Sequence, residues 1–222
     1  MMIIIQRVAA MVRYSTEHKE NTRQSILCEA AGELRRSGPD KVSVAALMKK
    51  AGLTHGGFYA HFASKDVLIA EAVAWAFADR LQFFNHMLQK YPEGERLARY
   101  IDAYLSPAHR NEPGKGCPVP ALAADISRCS ADIQARYQEG LDNMLALFAS
   151  AIPAPAVQPL VDDRMDISEQ DRRLHLARSA LSEMAGAVVL ARGMPDATEA
   201  EHWLASCRQS VKQRLHLQAY VH

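Results

Sequence analysis

Few residues of this chain are arranged for covalent or metal chemistry. The cysteines stand far apart, at 28, 117, 129 and 207, and form no C-x-x-C pair for zinc or dithiol exchange. Cys117 has the most suggestive setting, Gly114-Lys115-Gly116-Cys117-Pro118-Val119-Pro120. Pro118 suits the first position of a helix, which puts the thiol at the N-cap. A thiol there, with Lys115 nearby, is expected to ionise more readily and to react with electrophiles or oxidants. The plainer reading is a small buried residue at a helix start. The Gly-Lys-Gly before it is not a phosphate loop, because no strand precedes it and the third glycine is missing. The histidines are scattered, and neither G-x-S-x-G, H-E-x-x-H nor a P-loop is present. Asp162, Asp163 and Asp166 fall in a proline-rich stretch and read as solvated loop charge. The expectation is therefore no catalytic set, no metal site and no cofactor.

A second kind of chemistry, recognition of phosphates and base edges, is better supported. Thr54-His55-Gly56-Gly57-Phe58-Tyr59-Ala60-His61-Phe62 follows a segment with apolar residues at 44, 47, 48 and 51, the spacing of one buried helical face. Ser43 can cap that helix, Gly52 suits the left-handed residue beyond its end, and Thr54 can cap a second helix almost at once. Two helices so tightly joined place the second one across a major groove. On a wheel of about 100° per residue, Phe58 and Phe62 mark the core side. Gly56, Gly57 and Ala60 lie opposite, bordered by Tyr59 and His61. Two glycines in a helix cost roughly 1 kcal/mol each, so a close backbone approach is expected there, to DNA or to a packed neighbour.

The elements that must position these residues extend further. Glu20 to Ala74 resembles the N-terminal DNA-binding domain of the TetR/AcrR family of bacterial transcriptional regulators. The resemblance rests on Thr22-Arg23, Ile26-Leu27, Ala30-Ala31, Val42-Ser43-Val44, Ala51-Gly52-Leu53, Gly56, Phe58-Tyr59, His61-Phe62 and Ser64-Lys65. It implies that Thr54, Gly56, Tyr59, His61 and Lys65 touch the DNA backbone or seat the recognition helix. His55 is a candidate base or phosphate contact. Gly57 stands where many relatives carry Ser or Thr and so removes one contact. Arg23 and Ser43, with Val44 beside it, complete the candidate DNA-binding set at helix starts.

Composition agrees with such a partner. Of 26 Lys and Arg and 25 Asp and Glu in total, residues 1–66 hold 10 basic against 6 acidic, and the remainder is slightly acidic. No apolar run approaches the roughly 18 residues that a membrane span needs, and the N-terminus does not read as a secretory signal, so a cytoplasmic location is expected. The expected organisation is all-α: a disordered lead-in over 1–16, a three-helix DNA-binding domain over 17–66, and a larger helical ligand-binding and dimerisation domain over 67–222. The first ten residues read as an upstream extension ahead of Met11. The first helix should span about 21–36, and a long strut should run from Ser64 to about 89. Further helices are expected near 94–105, 118–128, 131–151, 168–191 and 197–218. Breaks are expected at 107–116 and 153–166.

The last two helices carry apolar stripes: Leu174, Ala177, Leu181, Met184, Ala185 and Val188, then Trp203, Leu204, Cys207, Val211 and Leu215. Periodicity alone allows an internal core or a partner surface. The family resemblance implies the second, a homodimer. It further implies a non-enzymatic repressor of double-stranded DNA at a near-palindromic operator, released by a small-molecule effector. Two alternatives remain: a thiol-based sensor acting through Cys117, and a helical enzyme or small-molecule carrier that binds no DNA.

Overall fold

The structure, a computed structural model, describes residues 2–157 and 168–217, with side chains from residue 19 onward, 155 excepted. All regular elements among the described residues are helical. They are α1 (Met2–Ser37), α2 (Val44–Lys50), a recognition turn (His55–Ala60), α3 (Lys65–Lys90), α4 (Glu93–Tyr104), α5 (Pro107–Asn111), α6 (Pro118–Ile126), α7 (Ala131–Ala151), α8 (Glu169–Gly193) and α9 (Ala197–Arg214).

The expected lead-in over 1–16 is not seen as a separate segment, because α1 already begins at Met2. From Met2 to Ala31 the chain holds neither glycine nor proline, so the backbone meets no breaker until Gly32. At the other end the expected punctuation operates. Gly38 adopts φ +82° and its N–H reaches Leu34 O at 2.9 Å. The break expected at 107–116 is instead wound into α5 and a single 3₁₀ turn, Pro113–Lys115. Within the break expected at 153–166, Ala154–Ala156 forms another such turn. Asp162, Asp163 and Asp166 lie outside the described residues.

The strut is α3. Ser64 caps it by accepting from Val67 N–H at 3.2 Å. Its 26 residues span roughly 39 Å at 1.5 Å each. One side packs on α1 and the other on α7, so a single helix is shared by the N-terminal three helices and the larger bundle. The α3–α7 contact is close because α7 offers Gly140 to Phe77: a Cβ at 140 would stand 2.3 Å from the Phe77 ring. Further along, Phe84 stacks on Tyr100 of α4 with ring centroids 3.8 Å apart, and Phe148 of α7 lies 5.9 Å from Phe84. This buried aromatic group forms the centre of the second domain.

Candidate nucleic-acid interface and the loop behind it

Ser43 Oγ accepts from Ala46 N–H at 3.3 Å and starts α2. Gly52 at φ +71° ends it, with Leu53 N–H bonded to Met48 O at 2.8 Å. The segment that follows is a 3₁₀ turn of six residues, not an α-helix. Gly56 and Gly57 weaken the α-helical alternative, and short 3₁₀ pieces tolerate such a stretch. Thr54 holds the N-cap position but its side chain caps nothing, because Gly57 N–H bonds to the Thr54 carbonyl at 3.0 Å.

The tighter winding also revises the wheel. Phe58 and Phe62 are both buried, as expected. Gly56 and Ala60 face outward, but Gly57 is half-buried, and a Cβ there would meet Met48 at 3.7 Å. Tyr59, expected at the border, is 68% exposed and dominates the outward face. A Cβ at Gly56 would meet nothing within 4 Å. Packing inside this chain therefore gives no reason for glycine at 56.

The other candidates fall into two groups. Ser43, Thr54 and His55 are exposed, while Val44 is half-buried against the core. Lys65 Nζ bonds to Asp40 O at 3.2 Å, within reach of the surface. His61 is half-buried, its Nδ1 sealed without a partner, and burial together with Lys19 and Arg23 lowers its pKa. Its imidazole seats the turn as a neutral ring. Arg23 is engaged internally: it pairs with Glu71 of α3, and its guanidinium lies 4.9 Å from the Phe62 ring centroid. It braces the recognition turn to α3 and, in this conformation, is not free to take a phosphate.

Residues 26–72 match the family model described as bacterial regulatory proteins, tetR family. Over those residues the chain carries a tetR-family DNA-binding domain. Over 140 residues it is 25% identical to the HTH-type transcriptional repressor NemR of Escherichia coli K12, covering 62% of this chain and 69% of that protein. The fold superposes on E. coli NemR in its reduced form with a TM-score of 0.68 at 20% identity, covering 86% of this chain and 96% of the other. A TetR-family regulator from Agrobacterium tumefaciens gives 0.69 at 16% identity, with 88% and 98% covered. One from Legionella pneumophila gives 0.68 at 18%, with 85% and 94% covered.

The loop between α5 and α6 ties α1 to the helical bundle. Gly114 passes so close to α1 that a Cβ would stand 2.5 Å from Arg36 Nη1 and 3.2 Å from Gly32 O. A Cβ on Gly116 would stand 2.6 Å from the His109 ring. These two contacts explain the Gly-Lys-Gly. The Gly116 carbonyl accepts from Arg35 Nη1 of α1 at 3.0 Å, and the same nitrogen reaches Asp79 of α3 at 3.1 Å. The N–H of the same peptide, on Cys117, donates to His109 Nε2 at 2.8 Å. Accepting there fixes His109 with its proton on Nδ1, which faces Tyr104 O at 2.6 Å. One peptide unit is thus held from the DNA-binding side by Arg35 and from the bundle by His109. No local pattern marks this contact, since Arg35 and His109 are 74 positions apart.

Of the two readings of Cys117, the packing favours the small buried residue at a helix start. Cys117 does occupy the α6 N-cap, but its side chain caps nothing and is fully buried, with Sγ 3.9 Å from Met144 Sδ. Burial pushes the thiol up, outweighing the neighbouring Tyr104 and the more distant arginines. Lys115 is exposed and pairs with Glu112 at 2.8 Å. The family of space-filling readings fits this geometry better than an activated thiolate.

Two expected outcomes follow. Gly56→Ala should leave stability unchanged or slightly raised, since the Cβ is unopposed, while weakening DNA binding by about tenfold or more. Titrations giving equal affinities for the two proteins would show that glycine is not there for close approach. His109 is lowered to about 4, chiefly by burial, against an ordinary value of 6.5. Between those values the unfolded chain binds the extra proton, so stability should fall as pH falls from about 6.5 to about 4, by on the order of 3 kcal/mol. Denaturation midpoints across that range should decline for the natural protein and decline much less for His109→Gln; parallel declines would assign the effect to other groups.

Proposed function

We propose that this regulator is a repressor that binds a near-palindromic operator as a homodimer and is released by a small-molecule effector held in the helical domain. The observation that carries it is the recognition turn: Phe58 and Phe62 anchor it, and it presents Tyr59, His55 and an unopposed Gly56 outward. The repressor assignment is carried over from NemR, the E. coli relative described as a transcriptional repressor. No helix among the described residues is long and apolar enough to cross a membrane. We read the protein as a non-enzyme of the cytoplasm on the strength of the family.

Two recognition turns related by a two-fold axis would enter successive major grooves, about one helical turn apart. With so few long side chains outward, contacts to the backbone and sensitivity to DNA shape should supply much of the recognition. Release needs an effector that binds better to a conformation in which the turns no longer match that spacing. The held peptide at Gly116–Cys117 is the element through which the bundle would move α1.

For the dimer, the residues facing outward differ from the stripes read in the sequence. Ala177, Leu181, Met184, Ala185 and Val188 of α8, Leu204 and Val211 of α9, and Leu215 just beyond it are all buried within the chain, and Leu174 and Cys207 are half-buried. Of the named residues Trp203 alone is exposed, at 42%, and Val189 and Leu190 of α8 join it at 49% and 53%. A groove of about 470 Å³ between Trp203, Cys207 and Glu183 lies on that side. Gly186 of α8, one turn from Glu183, leaves open space, which suits a close helix approach from a second copy.

Selection of bound sites from random DNA should recover a near-palindrome, with affinity falling steeply as salt rises. Tyr59→Ala should weaken all sequences alike; loss of one base preference on that substitution would overturn the backbone-contact account. Trp203→Glu should shift the protein towards monomer in sedimentation and weaken operator binding with it. A dimer population unchanged by Trp203→Glu would remove this face as the interface.

A further inference from the structure

A groove of about 310 Å³ opens between α3, α4 and α5, bounded by Arg80, Phe83, Ala103, His109 and Gly116. Its volume lies at the small end of ligand pockets, which run from roughly 300 to 1,000 Å³. Arg80 is its distinctive feature. The guanidinium lies 4.2 Å from the Phe83 ring centroid, and Nε is sealed from solvent with no hydrogen-bond partner. Among the described residues no carboxylate pairs with it: Asp79 is taken by Arg35, and Glu112 at the rim by Lys115. Leaving a buried donor unpaired costs roughly 1–3 kcal/mol, and more when the donor is charged.

The surroundings deepen the imbalance. The Tyr100 hydroxyl, buried and near enough for the Arg80 charge to act on it, also has no partner. The Tyr104 hydroxyl has the weakly polar Cys117 sulfur beside it and no stronger partner. Arg192 of α8 donates to His109 O at 3.1 Å and Arg110 O at 3.2 Å, so its charge too is met by carbonyls and not by an acid. His109 itself is held neutral. The groove therefore presents an Arg80 charge without a carboxylate partner beside an aromatic ring, and the Arg192 charge and the two hydroxyls lie against its lining residues.

We propose that this groove binds a small organic anion, a carboxylate carried on a planar apolar group. The carboxylate accepts from the Arg80 guanidinium where it lines the groove, and the planar group lies along Phe83 and Ala103. Inorganic phosphate fits less well, because it leaves the ring and the alanine facing water and brings nothing to cover them. The inference rests on the effector-responsive reading and names the chemistry of the effector. The wall of the groove is His109 and Gly116, the two residues that meet at the held peptide. An occupant therefore acts directly on the contact that reaches Arg35 of α1.

The test is calorimetric titration of the full chain with 2-naphthoate, its neutral analogue 2-naphthamide, and inorganic phosphate, with DNA binding to the selected operator followed in parallel. Saturable binding of 2-naphthoate is expected, at least about tenfold tighter than the amide, with no binding of phosphate. Arg80→Gln should lose at least about tenfold in naphthoate affinity while keeping its helicity and its operator binding. The comparison of acid with amide on the natural protein stands even if that variant does not fold. Equal binding of acid and amide, absence of saturable naphthoate binding, phosphate binding as tight as naphthoate, or unchanged affinity in folded Arg80→Gln would each overturn the proposal. If the operator is bound and naphthoate is not, only this inference falls. If no operator is bound at all, the regulatory reading falls, whatever naphthoate does.

Discussion

A buried peptide bond must satisfy both its carbonyl and its N–H, and at Gly116–Cys117 the two are satisfied from different domains. Arg35 of α1 supplies the donor, and His109 of α5 supplies the acceptor. That requirement fixes much around it. Residue 116 must be glycine for the peptide to come this close to the imidazole, and 114 must be glycine for the loop to lie against α1. His109 must remain neutral with one tautomer, and burial keeps it so. Arg35 is itself buried, so its tie to Asp79 holds α1, α3 and the loop together at one point. A change in the bundle that displaces His109 leaves an orphaned N–H unless the peptide moves with it.

Elsewhere the second domain is held by less demanding means. Aromatic rings from α3, α4 and α7 fill its centre, and most of the ion pairs are exposed helical neighbours that contribute little individually. Arg110 and Arg192 are different. They cross between α5 and the end of α8, Arg110 donating to Ala191 O at 2.7 Å and Met194 O at 2.6 Å. The carbonyls left over at the C-terminus of α8 are thereby satisfied by cations, which also complement its dipole. Through them α5 is attached to the helix that carries Val189 and Leu190 on its outer side.

The sequence made the local signals legible and left the long-range ones hidden. Ser43, Gly52, Ser64 and Gly38 could be placed at helix ends because capping is a relation between neighbours, and each acts there in the structure. Phe58 and Phe62 could be assigned inward from their spacing. The α-helical wheel misplaced Gly57 and Tyr59 because it assumed a winding that two glycines do not support. The stripes on α8 and α9 could not be assigned to core or partner, since both uses have the same period; burial separates them. Arg80, Arg35 and His109 could not be found at all. Each is an ordinary polar residue in its own helix, and its importance comes from residues dozens of positions away. Lys115 and the N-cap position made Cys117 look reactive, but only the packing of Tyr104 and Met144 over it decides its solvation.

The contact of Gly140 with Phe77 has a mechanical consequence. An aromatic ring seated directly on a helix backbone acts as a detent. For α7 to slide along α3, the ring would have to ride over the next side chains, Arg136 on one side and Met144 on the other, and lose its seat. The two helices are therefore geared to travel as one body, and sliding along this pair is not where conformational freedom lies. The compliance of the molecule is left to the seams held by side-chain hydrogen bonds and ion pairs, such as Arg35 to Asp79 between α1 and α3 and Arg110 to Ala191 O between α5 and α8, which can lengthen or change partners. A message passing from the bundle to the recognition turn is in this sense a matter of where the protein has been left able to slip.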